Sequence, residues 1–186
     1  ITVPVLWDKQ RETIVSNESS EIIRMLNGAF AAVAANDLDL YPSALQAEID
    51  AVNERLYHRF NNGVYRAGFA TTQIAYNKAV HDVFDSLDFI ERRLDEQDFL
   101  VANRLTEADV RVFVTLVRFD SAYYGLFKTN IRRVSDYPNI SEYIRRIYDL
   151  PGVADTVNTD HIKTGYYSIR ALNPSGIVPV GPAVQW

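Results

Sequence analysis

The chain has no cysteine among its 186 residues, which excludes disulfides, cysteine-ligated metals and a thiol nucleophile within this stretch. The same absence leaves the redox compartment unread, because cysteine usage is the usual guide to it. No run of Lys or Arg exceeds two residues and the net charge is −5, so the basic face that a nucleic-acid binder needs is missing. No apolar run approaches the roughly 18 residues of a membrane span. Residues 1–7 are too short, and lack the positive n-region, to form a secretory signal. The two Asn-x-Ser patterns at Asn17 and Asn139 are accordingly read as chance, and a cytoplasmic location is the expectation. The three histidines, His58, His81 and His161, share no ligand spacing such as H-x-x-x-H, so no metal site is expected. The adjacent pair Asp160-His161 is read as structural, on an extended segment. Internal repeats and low-complexity tracts are absent.

What is present is apolar and aromatic. Hydrophobic residues make up 47% of the chain, with 11 Tyr and 9 Phe, enough for one medium domain or two small ones with a core. Residues 2–7 (TVPVLW) and 13–16 (TIVS) are β-prone runs separated by the polar turn 8–12, which predicts a hairpin. A helix over 18–27 comes next, capped at Ser16 or Asn17, with Ile22, Ile23 and Leu26 on one face and Gly28 as its stop. A hairpin and one helix are about half of a stable sheet layer. An open sheet edge on the first strand, and with it a tendency to pair, is therefore expected. The Ala-rich stretch 29–41 reads as a connector.

From Pro42 onward the pattern is helical. Leu45, Ile49, Val52, Leu56 and Phe60 recur at helical spacing, with Asn61-Asn62-Gly63 as a stop and 64–69 as a loop. A long helix opening at Thr71 or Thr72 carries Tyr76, Val80, Val83, Leu87, Ile90 and Leu94. These two amphipathic helices are expected to pack antiparallel. Thr106 and Asp109 have the spacing of a capping box, with Leu105 and Val110 at the staple positions. The helix beyond, 110–122, is apolar nearly all round, the pattern of a helix at the centre of a bundle. Pro138 opens a helix carrying Ile140, Tyr143, Ile144, Ile147 and Tyr148, which ends at Pro151-Gly152. A short turn near 153–157 precedes an ordered, irregular tail from His161 that folds back over the bundle. The fold class expected is α+β: a partial sheet layer over 1–28, a connector over 29–41 and an all-helical domain over 42–186.

Several strings carry a resemblance: VPVLWD (3–8), IVSNESSEIIRM (14–25), NNGVYRAGFATTQ (61–73), RLTEADVR (104–111), DYPN (136–139), LPGVADTVN (150–158), DHIK with the Tyr pair 166–167, and NPSGIVPVGP (173–182). Over essentially its whole length the chain resembles the glutathionyl-hydroquinone reductases, the xi class of glutathione transferases. The resemblance implies that 1–28 is the second half of a thioredoxin-like, glutathione-binding domain whose first half lies outside this stretch. It also implies that 42–186 is the helical C-terminal domain, and that the protein is a homodimer.

The resemblance further implies a chemistry. An enzyme cysteine attacks the sulfur of a glutathionyl-hydroquinone, and a second glutathione resolves the mixed disulfide. That cysteine belongs to the strand–helix unit not included here, so this stretch alone cannot perform the first step. Glutathione is then the co-substrate. The helix start with Glu18 and Ser19 would receive its γ-glutamyl carboxylate and ammonium. The Val3–Pro4 edge, with a cis bond before Pro4, would pair its cysteinyl unit as an added strand. Without the resemblance, Glu18 and Ser19 read as an ordinary acidic first turn. Tyr65 and Tyr166 match the family's phenol-binding positions, since a phenolic O–H both donates to and accepts from a quinol hydroxyl. The alternative for both is an aromatic that seals a core edge. Tyr123 and Tyr124 are weaker candidates for the phenol-binding role, read first as packing at the end of the central helix. The chain departs from the family at Gly165, where His is usual, and at Leu126 and Thr129, where His and Cys are common, which predicts a less polar wall. A second functional reading is a catalytically inactive binding or dimerisation module of the same fold.

Overall fold

The structure, a computed structural model, describes residues 3–183 and divides after Gln46 into two compact units. In the first, β1 (Leu6–Asp8) and β2 (Thr13–Ser16) form an antiparallel pair, with Trp7 opposite Ile14 and Asp8 opposite Thr13, and a bulge at Leu6–Trp7. The strand is shorter than the run 2–7 suggests. Pro4 has no N–H to contribute, and the ladder begins only at Leu6. Asp8 closes the turn, accepting from the backbone N–H of Gln10 at 2.8 Å and of Arg11 at 2.9 Å.

Helix α1 (Ser19–Gly28) comes next, and the residue at its cap is Glu18, not Ser16 or Asn17. The Ser16 hydroxyl is diverted: it accepts from the Glu18 N–H at 3.1 Å and donates to the Glu21 carboxylate at 2.7 Å. Trp7, Ile14, Val15 and Leu26 remain exposed. That is the condition of a two-stranded layer too small to bury both of its faces.

The second unit is helical. Helix α2 (Gln46–Leu56) does not stop at Asn61 but runs through a π-turn, Tyr57–Asn61, into α3 (Gly63–Gly68). The expected stop and loop are therefore helix. The Asn62 N–H still finds a carbonyl, five residues back on Tyr57 at 2.8 Å, so Asn61-Asn62-Gly63 widens the helix rather than ending it. Helix α4 (Gln73–Arg93) is capped by the Thr72 side chain, which accepts from the Ala75 N–H. It runs antiparallel to the segment from α2 to α3. Arg93 meets Glu48, Arg55 lies over the Phe89 ring, Arg59 bonds Asp85 and Arg66 bonds Asp82, so the rungs step in opposite directions. Ile49, Val52, Leu56 and Phe60 face Val80, Val83, Leu87 and Ile90 as one buried seam.

Helix α5 (Glu107–Arg118) starts at the expected capping box. Its N-terminal turn is fixed by Asp109, which is fully buried. Asp109 accepts from the Leu100 N–H (2.8 Å), the Thr106 N–H (2.7 Å), the Thr106 hydroxyl (2.9 Å) and the Tyr143 hydroxyl (2.9 Å). Burial pushes its carboxyl up while the four donors pull it back. The helix is not buried all round, because Val110 and Val114 are exposed along one face. A second π-turn, Phe119–Tyr123, leads into the short α6 (Tyr124–Leu126). Helix α7 (Pro138–Tyr148) buries Ile140, Tyr143, Ile144 and Ile147, and its first amides donate to the Glu91 carboxylate.

The tail departs from expectation at its start. Residues 159–167 are a helix, α8 (Thr159–Tyr167), because Asn158 caps it by accepting from the His161 N–H at 2.9 Å. Beyond it the chain is irregular and held back against α8. The buried Lys163 ammonium donates to the Val180 carbonyl at 2.7 Å, and the Asn173 amide to the Tyr167 carbonyl at 2.7 Å. Among the described residues, no helix is long and apolar enough to cross a membrane.

Candidate functional site

Two π-turns build the centre of the second unit. Each inserts an extra residue and rotates the helix beyond it by about a third of a turn relative to an unbroken α-helix. They pack on one another through Phe60 and Phe119, whose rings stack at 6.3 Å. The Asn61 amide pins the first turn to α5, donating to the Arg111 carbonyl and the Thr115 hydroxyl, both at 2.7 Å. From the first turn the chain delivers Tyr65 on α3, and from the second it delivers Tyr123.

The hydroxyls of Tyr65, Tyr123 and Tyr166 converge. Tyr166 lies 2.7 Å from each of the other two, and Tyr65 and Tyr123 are 3.4 Å apart. Three hydroxyls supply three protons, and the two short contacts engage two of them, so one O–H remains available to a ligand. Phe127, fully buried, floors the group with its ring 5.2 Å from Tyr123, 5.3 Å from Tyr65 and 5.9 Å from Tyr166. Gly68 is what lets that ring in, since a Cβ there would fall 2.4 Å from the Phe127 ring. Tyr123 is only 2% exposed, while Tyr65 is 40% exposed and presents the group to solvent. Burial and the neighbouring phenols push Tyr123 far up, so it stays neutral at any ordinary pH. Burial likewise pushes Tyr166 up to about 12, with Arg118 pulling the other way.

Tyr65 and Tyr166 line a cleft of about 460 Å³, with the buried Tyr123 hydroxyl bonded to Tyr166 behind them. Its walls are Phe113, Val114 and Val117 of α5 and Ile162, Tyr166 and Ile169 of α8 and the turn after it, with Arg118, Asn158 and His161 as polar members. The exposed Val114 face of α5 is thus a cleft wall. Cleft and hydroxyls together suit a flat aromatic ring bearing hydroxyl groups, gripped by apolar walls and hydrogen-bonded at one edge.

The sequence expectation for Tyr65 and Tyr166 thus brings together two side chains 101 positions apart. Tyr123, a weaker candidate read first as packing, is the third member. No periodicity could have found it, because a π-turn resets the helical phase. His161, read as structural on an extended segment, lies on the cleft wall because α8 begins at Thr159. Of the three departures from the family pattern, Gly165 lines the cleft, while Leu126 and Thr129 are buried. Among the described residues, the Thr129 hydroxyl has no hydrogen-bond partner.

In the first unit, the bond between Val3 and Pro4 is cis, and Val3 is 89% exposed. Glu18 and Ser19 sit exposed at the start of α1, whose first turn has no side-chain cap. Unsatisfied helix amides of this kind suit an anion. Among the described residues, no cluster of three or more His, Asp or Glu could hold a metal ion.

Residues 73–146 match the glutathione S-transferase C-terminal domain family. The chain is 53% identical over 184 residues to the glutathionyl-hydroquinone reductase PcpF of Sphingobium chlorophenolicum, covering 98% of this chain and 59% of that protein. It is 54% identical over 183 residues to the glutathionyl-hydroquinone reductase YqjG of Escherichia coli, covering 98% of this chain and 56% of that one. The glutathione-bound structure of YqjG superposes with a TM-score of 0.95, over 99% of this chain and 60% of that one. A xi-class transferase from Natrialba magadii superposes with a TM-score of 0.96 at 44% identity, over 99% of this chain and 57% of that one. The chain spans a little under three fifths of the curated relatives PcpF and YqjG. Similarity to glutathionyl-hydroquinone reductases and to xi-class glutathione transferases thus runs along nearly all of this chain.

Proposed function

We propose that the protein containing this chain reduces glutathionyl-hydroquinones to hydroquinones, and that the cleft of the helical unit holds the quinol ring. The observation that carries this reading is the convergence of three tyrosine hydroxyls beside an apolar cleft. Support comes from the relatives: PcpF and YqjG bear the name of that activity, and YqjG has been solved with glutathione bound.

In this reading a cysteine outside these 186 residues, as a thiolate, attacks the glutathione sulfur. The carbon–sulfur electron pair returns to the ring carbon, which takes up a proton, and an enzyme–glutathione disulfide forms. A second glutathione thiolate then displaces the enzyme thiolate and leaves as oxidised glutathione. The neutral Tyr65–Tyr123–Tyr166 group offers its one free O–H to a quinol oxygen, and its exposed members accept from a quinol hydroxyl. Their role requires that they keep their protons, and the elevated pKa of Tyr166 ensures this near neutral pH. Charge that builds on a ring oxygen as the carbon–sulfur bond breaks is met by the free O–H.

Glutathione is assigned to the first unit. The N-terminus of α1 receives its γ-glutamyl carboxylate, Ser19 adds a hydroxyl, Glu18 takes the ammonium, and the Val3–Pro4 edge pairs its cysteinyl backbone. Residues 1–28 are then the second half of the glutathione-binding domain, 29–41 a connector and 42–186 the substrate-binding domain. A cytoplasmic homodimer belongs to the same reading.

The test is Tyr166→Phe in the full-length protein, with turnover of a glutathionyl-hydroquinone measured. Removing the hydroxyl that joins the other two should lower kcat/KM about tenfold to a hundredfold, the range for one lost hydrogen bond to a developing charge. Unchanged turnover would remove the tyrosine group from the reaction. The alternative is an inactive binding or dimerisation module, and the absence of cysteine from this stretch does not by itself favour it. A complete sequence with no cysteine at a strand–helix junction would decide for it.

A further inference from the structure

Arg118 stands apart from most arginines of the helical unit. Arg59, Arg66, Arg93, Arg111 and Arg146 each meet a carboxylate. Arg118, half-buried at the end of α5, gives one N–H to the Val114 carbonyl and has no ion pair among the described residues. It lines the cleft, and no Asp or Glu does. In a chain of net charge −5, the cleft is therefore a local pocket of positive potential. Its apolar walls, Phe113, Val117 and Ile162 among them, keep that potential from being screened by solvent. The charge reaches the hydroxyl group, since it pulls Tyr166 down against the effect of burial. A guanidinium carries five donors in a planar fork, so four remain once the Val114 carbonyl is served.

We propose that Arg118 is a specificity-determining residue, which makes the cleft prefer hydroxylated aromatic rings bearing a carboxylate over their neutral counterparts. This rests on the reading that the cleft takes the quinol ring, and it names the class of ring taken. Tyr166 and Arg118 then act on different edges of one ligand, the first on a ring hydroxyl and the second on the anionic substituent. A purely structural Arg118, serving the helix end and its dipole, would affect stability without selecting among ligands.

The experiment compares hydroquinone with 2,5-dihydroxybenzoate by equilibrium binding to the full-length protein, with displacement of one by the other to show a shared site. The parent should bind the benzoate about fivefold to tenfold more tightly, the span between an exposed ion pair and a charge-assisted hydrogen bond. Arg118→Gln should abolish that preference, and Arg118→Lys should keep part of it. Raising salt from about 20 to about 200 mM should shrink the preference in the parent. Should Arg118→Gln not fold, Arg118→Lys and the salt series carry the decision. Equal affinities in the parent, a preference untouched by Arg118→Gln, or one indifferent to salt would overturn the role of Arg118 and leave the cleft reading standing. If neither compound binds, or if Tyr166→Phe changes neither affinity, the cleft reading fails and the role of Arg118 falls with it.

Discussion

Replacing Asp109 by Ala deletes the acceptor on which the entry to the central helix depends. Its partners, the Leu100 and Thr106 amides and the Tyr143 hydroxyl, lie where water does not reach, since Leu100, Thr106 and Tyr143 are all fully buried. A buried donor left unpaired costs about 1–3 kcal/mol. The Thr106 hydroxyl can rotate toward another acceptor, so three orphaned donors count. Against this, the variant no longer holds a buried carboxylate, and the upward push on Asp109 says that its desolvation is only partly repaid. The net expectation is a loss of about 3–4 kcal/mol, which in a unit of this size lowers Tm by roughly 6–16 °C. Tyr143→Phe removes one donor and should cost about 1 kcal/mol alone. In the Asp109→Ala background it should be neutral or mildly stabilising, because it then deletes an orphaned hydroxyl. The assay is urea unfolding of the four proteins, monitored by circular dichroism. A coupling of about 1–2 kcal/mol is expected. Effects that add within about 0.3 kcal/mol would refute the claim that the two side chains share one network.

Three further outcomes are expected from the same geometry. Gly68→Ala gains helix propensity but drives a methyl into the Phe127 ring, so a net loss of about 1–2 kcal/mol is expected. Weaker binding of hydroquinone should accompany it, because Phe127 floors the tyrosine group; a stabilised variant with unchanged binding would contradict the contact. Thr129→Val replaces a fully buried, unpartnered hydroxyl with a methyl and should stabilise by about 1 kcal/mol in thermal unfolding; a loss of stability would reveal a partner. The third outcome concerns alkaline pH. The Tyr166 pKa of about 12 lies above the ordinary value of 10, so the folded state holds a proton that the unfolded chain has released. Stability from this group is complete below pH 10 and is lost as the pH rises towards 12. Tyrosinate absorbance at 295 nm should show late-titrating phenols, with one late step missing in Tyr166→Phe; uniform titration near 10 in the folded protein would disprove the cluster.

Legibility in the sequence tracks the length scale of the physics. The capping box Thr106–Asp109 is plain because it is a contact across three residues whose chemistry needs those two side-chain types. The antiparallel seam is equally plain, since Ile49, Val52, Leu56 and Phe60 repeat at helical spacing and so do Val80, Val83, Leu87 and Ile90. Local phase is what the spacing misreads. Asn61-Asn62-Gly63 has the composition of a helix stop, yet the Asn62 N–H is satisfied five residues back, and the helix widens instead of ending. The start of α8 escapes for a related reason: the Asn158 cap sits in a short polar stretch that also reads as loop.

These two misreadings bear directly on the site. Because the chain stays helical after Asn61, Tyr65 is on a rigid element rather than in a loop, and its hydroxyl is held at 2.7 Å from that of Tyr166. Because α8 begins at Thr159, Tyr166 is fixed by a helix that also places His161, Ile162 and Gly165 along one cleft wall. The resemblance singles out Tyr65 and Tyr166 and leaves Tyr123 only a weaker candidate. Tyr123 reaches the group only through the second π-turn, after an α5 whose regular phase would have carried it elsewhere. The part of the site most open to substrate, Tyr65, is therefore legible from the sequence. The buried residue that completes the hydroxyl triangle is less so, since its position depends on a helical defect that leaves no spacing signature.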